Sequence, residues 1–522
     1  MDIQQAFDTT AKILFGEEVG RLQDFAPYLK EAMLPYQMKK SSVSGKNVMV
    51  SSPYYLPEAT FVSQDEISLL KFPPLNVNEI KDIDSLFSAV SERTIYCGNK
   101  LFGRNQDVVE VDNCIDCTNV LHSHNVFNVK HGAYLSGTRE GEHIFGVTGY
   151  PGAQFSIRTV EGVGAKRCFE TFYGTNLADT YYALNCIGCQ DCIFAFNLRS
   201  RRHCIGNLEL PKDRYQKLKA KLTCEMGDEL RAKKRLFSLA DIAFAGRRKE
   251  DIPEEKVAYD GPVPRKVEEA FQSTTQLVIG KRRKAIKDYA VWLSLRALKV
   301  KKVKGAFGSP TYKIDEFPIT GQIPADRLVT LEEGIDYSLK NTIRLKQGEE
   351  PSLEELLSRV AKVAYFSVEF VDGQNEDCVD TPSIFTGSNV YKVWDVTKGK
   401  NSAYSTGVVE SEHIFGGYFR ILKCQFCINC YDSTSIKGCF EVDQSYSTRD
   451  SYLCHNVENC ENCILCFNVK SMRYAVGNTE VGKEEFMRIK KMLLERINSE
   501  LDRGRNVPFS VFSLPRVAKS RE

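Results

Sequence analysis

The chain has 522 residues, 42% of them hydrophobic and 26% charged, with a formal net charge of +2. That length points to more than one domain, and the near-balance of charge argues against a dedicated nucleic-acid binder, which usually carries a marked basic excess. No run of about 18 apolar residues is present to span a bilayer, and MDIQQAFDTTAKILFGEEVG has no basic stretch leading into an apolar one, so neither membrane insertion nor a signal peptide is expected.

In chain order, apolar residues at helical spacing predict a mainly helical stretch from Asp2 to about Ala32. A mixed segment with proline turns follows, and then a short helix near Ile83–Ser91. A Cys- and Asn-rich region comes next, and LPKDRYQKLKAKL predicts a charged amphipathic helix after it. The same order then recurs: helix from Val267 to about Leu298, short helix at Leu353–Val363, Cys/Asn-rich region, and the amphipathic VGKEEFMRIKKMLLERI.

Residue identities recur with the order. AFDTTAKILFG from Ala6 matches AFQSTTQLVIG from Ala270, and AYLSGTREGEHIFG from Ala133 matches AYSTGVVESEHIFG from Ala403. Cys168–Asn207 aligns without gaps to Cys439–Asn478, with 15 of 40 positions identical. The expected organisation is a tandem duplication. The first copy spans 1–246 (helical and mixed region 1–105, solenoid 106–207, capping helix 210–235) and a charged, proline-containing linker spans 247–265. The second copy spans 266–522 (helical and mixed region 266–372, solenoid 373–478, capping helix 481–503).

Within each Cys/Asn-rich region every third residue is small or aliphatic. From Cys424 the frame reads Cys427, Cys430, Ser433, Ile436, Cys439 and on to Val469; from Ala153 it reads Ser156, Thr159, Gly162, Ala165, Cys168 and on to Leu198, with no charged residue in either. A strand buries every second residue and a helix buries residues three and four apart, so a strict three fits neither. It suits a compact β-solenoid with short faces, in which Asn or Asp before the small residue supplies the bends and forms side-chain ladders. The expected fold class is α+β: two β-solenoid-like regions flanked by helices that cap their ends. In the second copy a one-residue insertion between Gly416 and Cys424 breaks the phase, so a bulge is expected there.

The 18 cysteines, without an export signal, imply reduced thiols in a cytoplasm-like compartment or in a particle assembled there. Cys186-x-x-Cys189-x-x-Cys192 and Cys460-x-x-Cys463-x-x-Cys466 have spacings found in zinc and iron–sulfur sites. However, Cys186 aligns with Val457 and Cys466 with Ala195. A ligand does not exchange for valine or alanine, whereas a small buried residue does, so packing is favoured over Zn or Fe–S. The acid–histidine clusters Glu140-x-Glu142-His143 and Glu410-x-Glu412-His413 occur in both copies. Glu142 with His143, and Glu412 with His413, are the candidates for general acid–base chemistry, weighed against a hydrogen-bonded turn in which the His caps a backbone carbonyl. His122, His124 and His131 lack partners in the second copy and are expected at the surface. The basic runs Lys281–Lys284 and Lys299–Lys304 are expected at helical or loop positions as a solvated face. No phosphate-binding glycine loop or nucleophile elbow is present.

NCIGCQDCIFAFNLRSRRHCIGN from Asn185 and NCENCILCFNVKSMRYAVGN from Asn459 resemble a group of microbial proteins with repeated Cys-x-x-Cys triplets. In that group a Phe-x-Cys-x-Asn-Leu-type segment and a Cys-Ile-x-Asn ending precede an amphipathic helix. The resemblance implies a solenoid and no particular chemistry; Ala475 stands where the ending carries cysteine, which speaks against a ligand role for Cys204. Together these features predict a structural protein that associates with itself, with no cofactor favoured. A thiolate metal or redox protein, and an enzyme using the Glu–His pairs in a solenoid groove, are the alternatives.

Overall fold

The computed structural model describes residues 1–73, 75–149, 152–419 and 421–514, so the end of the expected second copy, 515–522, lies outside the described residues. The fold is mixed α+β, and the strands of its long parallel stacks are built from a three-residue backbone motif. Asp107, Glu110, Asn113, Asp116, Asn119, His122, Asn125 and Asn128 all have left-handed backbone, with φ between 45° and 56°. Non-glycine residues adopt this conformation at a penalty of roughly 1–2 kcal/mol each, least for Asn and Asp. The residue after each bend points inward: Val111, Cys114, Cys117, Val120, Ser123, Val126 and Val129 are all buried. The period of three in the sequence is therefore bend, inward residue, outward residue.

Parallel pairing gives the second period. Val108 pairs with Val120, Val111 with Ser123 and Cys114 with Val126. The same offset of twelve continues through Val129↔Gly141, Ile144↔Ser156, Thr171↔Ala183 and Cys192↔Cys204. Four three-residue sides thus make one rung, and each inward residue stacks on the one twelve positions away.

Two compact units are present. The first comprises Met1–Tyr36, Asn99–Tyr259 and Lys301–Phe370; the second comprises Gln37–Gly98, Asp260–Val300 and Val371–Glu522. The boundaries of the units therefore do not follow chain order.

In the first unit a ten-stranded sheet runs in chain order from Leu101–Phe102 to Leu208–Glu209. The helix Ile3–Phe15 lies along the stack. Asp2 and Gln5 close a capping box at its start, and Gly16 ends it at φ 89°, a backbone state open to glycine without penalty. Its buried stripe, Ala6, Phe7, Thr10, Ala11, Leu14 and Phe15, sets Phe7 against Phe145 with ring centroids 5.0 Å apart and Phe15 against Phe169 at 5.1 Å. The helix Lys212–Lys233 buries Tyr215, Leu218 and Leu222, with the Tyr215 ring 5.5 Å from that of His203 in the last parallel strand.

The second unit repeats this plan. Strands Phe370–Val379, Ser383–Tyr391, Trp394–Ala403, Glu412–Phe415 and Gln425–Ile428 stack in order. Shorter strands and single bridges continue the stack at an offset of twelve as far as Val476. The helix Arg265–Ile279 sets Phe271 against Phe415 at 5.3 Å, and the helix Lys483–Gly504 buries Phe486, Ile489 and Leu493. At the one-residue insertion the register steps from twelve to thirteen: Glu412 pairs with Gln425 and Ile414 with Cys427. The extra residue is absorbed by consecutive left-handed bends at Leu422 and Lys423, with φ of 42° and 40°.

The short helices Ile83–Val90 and Leu353–Val363 each begin on a capping box, Asp82 with Ser85 and Ser352 with Glu355. Two expectations are corrected. Lys301–Lys304 is a strand paired antiparallel with Pro310–Lys313, because alternate side chains there bury Val303. Arg283 is not on a solvated face: it is 3% exposed and its guanidinium bonds the Asn498 side chain at 2.6 Å and the Asp502 carboxylate.

Candidate functional site

The inward columns are the most cysteine-rich region of the molecule. Cys168, Cys186, Cys189, Cys192 and Cys204 share one core with Ala165, Leu177, Ala183, Ala195 and Leu198. Cys424, Cys427, Cys430, Cys439, Cys454, Cys460, Cys463 and Cys466 share another with Val, Ile and Ala. Their thiols make one repeated contact. The S–H of residue i donates to the carbonyl of residue i−2: Cys186 to Leu184 at 3.6 Å, Cys192 to Gln190 at 3.4 Å, Cys439 to Lys437 at 3.1 Å and Cys466 to Ile464 at 3.5 Å. A second carbonyl, at i+9, lies within reach of several, as for Cys186 and Ala195 at 3.4 Å.

Serine and threonine in the same columns do likewise. Ser123 donates to Leu121 at 2.8 Å, Ser433 to Tyr431 at 2.7 Å, and Thr138 to Ser136 at 3.2 Å with Val147 at 3.1 Å. The inward position thus takes an aliphatic side chain or a small one that brings one hydrogen to a backbone carbonyl. Burial pushes the Cys168 thiol up to about 12 and raises Cys424, Cys439 and Cys454 as well, which favours the neutral thiol at those positions, whereas hydrogen bonds with Cys186 and Cys192 lower Cys189. Among the described residues no group of three or more His, Cys, Asp and Glu side chains is arranged to hold a metal ion.

The bend positions form ladders of their own, one rung apart. Asn113 donates to Asn125 at 2.7 Å and Asn456 to Asn468 at 3.0 Å. His143 belongs to such a ladder. It sits at a bend, with φ 54°, and its ring lies 5.3 Å from His131 and 5.2 Å from Phe155. It is 5% exposed and its carbonyl accepts from the Thr10 hydroxyl at 3.3 Å. Burial and the neighbouring His131 lower its pKa. Glu142 is exposed on the outward side of the same strand.

His413 packs on Phe426 at 4.6 Å and its Nδ1 meets the Thr274 hydroxyl at 3.5 Å, while Glu412 stands 3.7 Å from its Nε2 and takes a bond from Asn401 at 3.3 Å. Glu410 and Glu412 do line an open groove of about 650 Å³, together with Lys398, Lys400, Asn375 and Ser388. His413 is not among its lining residues, so the groove presents carboxylates and ammonium groups without the paired imidazole.

The expectation for His122 and His124 is overturned: they are 6% and 1% exposed. Tyr36 and Leu34 cover them. The Tyr36 hydroxyl meets His122 Nε2 at 2.6 Å, His122 Nδ1 meets Glu110 at 2.8 Å, and His124 Nε2 meets the Leu34 carbonyl at 3.2 Å. Glu110, His122 and Tyr134 occupy one bend ladder. The chain of contacts could pass a proton from phenol to the half-exposed Glu110, but burial and Glu110 both raise the Tyr36 phenol, so it is held protonated rather than poised as a nucleophile. The covering segment is far from His122 in sequence, and no local signal announced it.

Two buried carboxylates also escaped the sequence reading. Glu170 Oε2 pairs with Arg158 Nε at 2.6 Å and its other oxygen accepts the Leu239 N–H at 2.9 Å. Glu441, at the aligned position, accepts the Val511 N–H at 3.3 Å and lies 3.7 Å from Arg296. Their recurrence in the two aligned segments was the available signal. Each fastens the segment that follows a capping helix onto its strand stack.

No protein-family model matches the chain, and comparison with curated proteins and with solved structures finds no match.

Proposed function

We propose that the chain is a structural protein: a tandem duplication whose two β-solenoids form the pseudo-symmetric protomer of a larger homo-oligomeric particle, shell or virion-like assembly, built in a reducing compartment. The reading draws on the shared offset of twelve, the aligned contacts Phe7–Phe145 and Phe271–Phe415, and cysteines engaged with backbone carbonyls rather than with one another's charges.

The observation that carries self-association is the opening rung of each stack. Leu101–Phe102 covers only the Cys114–Ile115 end of Gln106–Ile115 and leaves Gln106–Glu110 mostly exposed, and Phe370–Val379, with no buried residue, is the terminal strand of its sheet. These rungs present Val109 at 58% and Val371 at 45% exposure. A helix closes the far end of each stack, whereas the opening rung is a ready template for another chain. Fusion of two like units stands in for a homodimer, and such interfaces extend by symmetry.

Size-exclusion chromatography with light scattering tests this. Species of several chains, reduced to single chains by Val109→Lys with Val371→Lys, are expected. A monodisperse single chain at every concentration would overturn the reading.

A further inference from the structure

The two compact units are not the two halves of the chain. The first unit takes in Lys301–Phe370 from the second half, and the second takes in Gln37–Gly98 from the first. The contacts inside each unit are matched pair by pair. In the first unit, Asn197 Nδ2 donates to the Tyr365 carbonyl at 2.9 Å; in the second, Asn468 Nδ2 donates to the Ile95 carbonyl at 2.7 Å. Asn197 and Asn468 are aligned bend residues, one from each half, and each holds a strand end that follows a short helix in the other half.

The ring contacts obey the same rule. Phe196 meets Phe366 at 5.3 Å and 80°, and its aligned partner Phe467 meets Tyr96 at 5.7 Å and 78°. So do two glycines. A Cβ on Gly206 would lie 2.6 Å from Ile343, and a Cβ on the aligned Gly477 would lie 2.7 Å from Val90.

Further contacts anchor each segment. Asn185 donates to the Ser367 carbonyl at 3.1 Å in the first unit. In the second, the Cys97 N–H donates to His455 Nε2 at 2.9 Å, His455 Nδ1 meets Asp443 at 2.8 Å, and the Tyr55 hydroxyl donates to the same carboxylate at 2.7 Å. Tyr55, Tyr96, Cys97, Asp443 and His455 are all buried, so these segments belong to each core rather than ornament it.

We infer that the duplicated halves have reciprocally exchanged these segments, so that the surface each stack presents is built for the arm of a sister copy and for no other partner. The inference rests on the reading of the chain as a duplicated unit. Had each half kept its own segment, the aligned residues would bind within their own half; both sets instead bind across. Exchange of an identical element between copies is a low-penalty route to pairing, and in this chain the linker makes it intramolecular. Neither half then owns a complete core.

Two experiments on the full chain test this. In the first, a protease site is inserted between Tyr259 and Asp260, where Tyr259 is 98% exposed, and the folded protein is cut. The halves are expected to co-elute at the mass of the uncut chain, through high salt and dilution, and to separate only as the circular dichroism signal is lost. Halves that come apart while still folded would overturn the inference. The second works even if the insertion prevents folding. In the uncut chain, Asn468→Ala is expected to speed hydrogen exchange at Ile95–Gly98 about tenfold, and Asn197→Ala to do the same at Tyr365–Ser367, the effect of losing one hydrogen bond. Faster exchange confined to the mutated residue's own half would overturn it. The cut protein is compared with the uncut chain whatever mass the latter has, and the exchange experiment reads single residues, so a failure of the assembly reading leaves both results interpretable.

Discussion

Arg158 and Glu170 face each other across neighbouring rungs, Nε to carboxylate oxygen 2.6 Å, with both side chains fully buried. The Tyr28 carbonyl and Glu31 share the guanidinium and the Leu239 N–H shares the carboxylate, so the pair ties an N-terminal segment and a post-helical segment to one stack. Removing one partner strands the other charge, and Glu170→Ala is expected to lower stability by about 3–5 kcal/mol. Replacing both, Arg158→Met with Glu170→Leu, removes the stranded charge and should recover much of that loss. Urea denaturation of the singles and the double reads this out; a Glu170→Ala loss below about 1 kcal/mol, the level of a solvent-screened pair, would refute it.

Stability should fall as the solution becomes mildly acidic. Burial holds His124 down to about 4 in the folded chain, against about 6.5 when unfolded. Because the folded value is depressed, the imidazole's contribution is fully present above pH 6.5. It is lost progressively as the pH falls from there to 4, by up to about 3 kcal/mol. His122, His143 and His413 are shifted the same way by burial and deepen the slope. Melting temperature against pH should drop in that window, and His124→Gln should flatten some of the drop; an unchanged slope in the variant would assign it elsewhere.

The inward columns predict which cysteines can be replaced and by what. Cys439→Ser keeps the hydrogen to the Lys437 carbonyl, 3.1 Å from the sulfur, and should cost about 1 kcal/mol or less. Exchanging aligned residues, Cys186→Val or Val457→Cys, should stay within about 1.5 kcal/mol. Cys439→Leu overfills a position whose neighbours in the column are themselves buried and should cost about 1–3 kcal/mol. Denaturant midpoints measure all four; a Ser variant as damaging as the Leu variant would show that sulfur, not size, is required.

Thiol accessibility separates packing from metal chemistry. Among the cysteines only Cys224 is exposed and Cys378 is intermediate. A thiol reagent should therefore label Cys224 at once, Cys378 slowly, and all 18 after unfolding. Protein purified without a tag should carry less than one zinc or iron per chain, and chelator should leave its melting temperature unchanged. Stoichiometric metal with a chelator-dependent melt would restore Cys186, Cys189 and Cys192, or Cys460, Cys463 and Cys466, as ligands.

What the sequence disclosed was local. The period of three, the small residues in its frame and the Asn and Asp before them all follow from one bend geometry that each short stretch must satisfy by itself. The helices at Ile83–Val90 and Leu353–Val363 were legible for the same reason, since caps and stripes are written within a dozen residues. The burial of His122 and His124 was not legible, because Tyr36 and Leu34 arrive from a remote segment. Nor was the membership of Gln37–Gly98 in the second unit, whose contacts with His455 and Asp443 bridge more than 350 positions. Of the candidate site residues, the cysteines could be weighed by comparing aligned positions, whereas the Glu–His pairs could not, because both aligned segments keep them.

The doubled bend at Leu422 and Lys423 shows how such a chain can and cannot change length. Every inward column is indexed by counting, so one added residue on a straight side would turn all later side chains inside out. Here the surplus is confined to a single corner, and the count resumes unbroken at Cys424. Length can vary freely only by whole turns, or by a loop swung out at a corner. Insertions and deletions in relatives of this chain should therefore cluster at corners or come in twelves, a mutational grammar set by geometry and independent of any chemistry the protein performs.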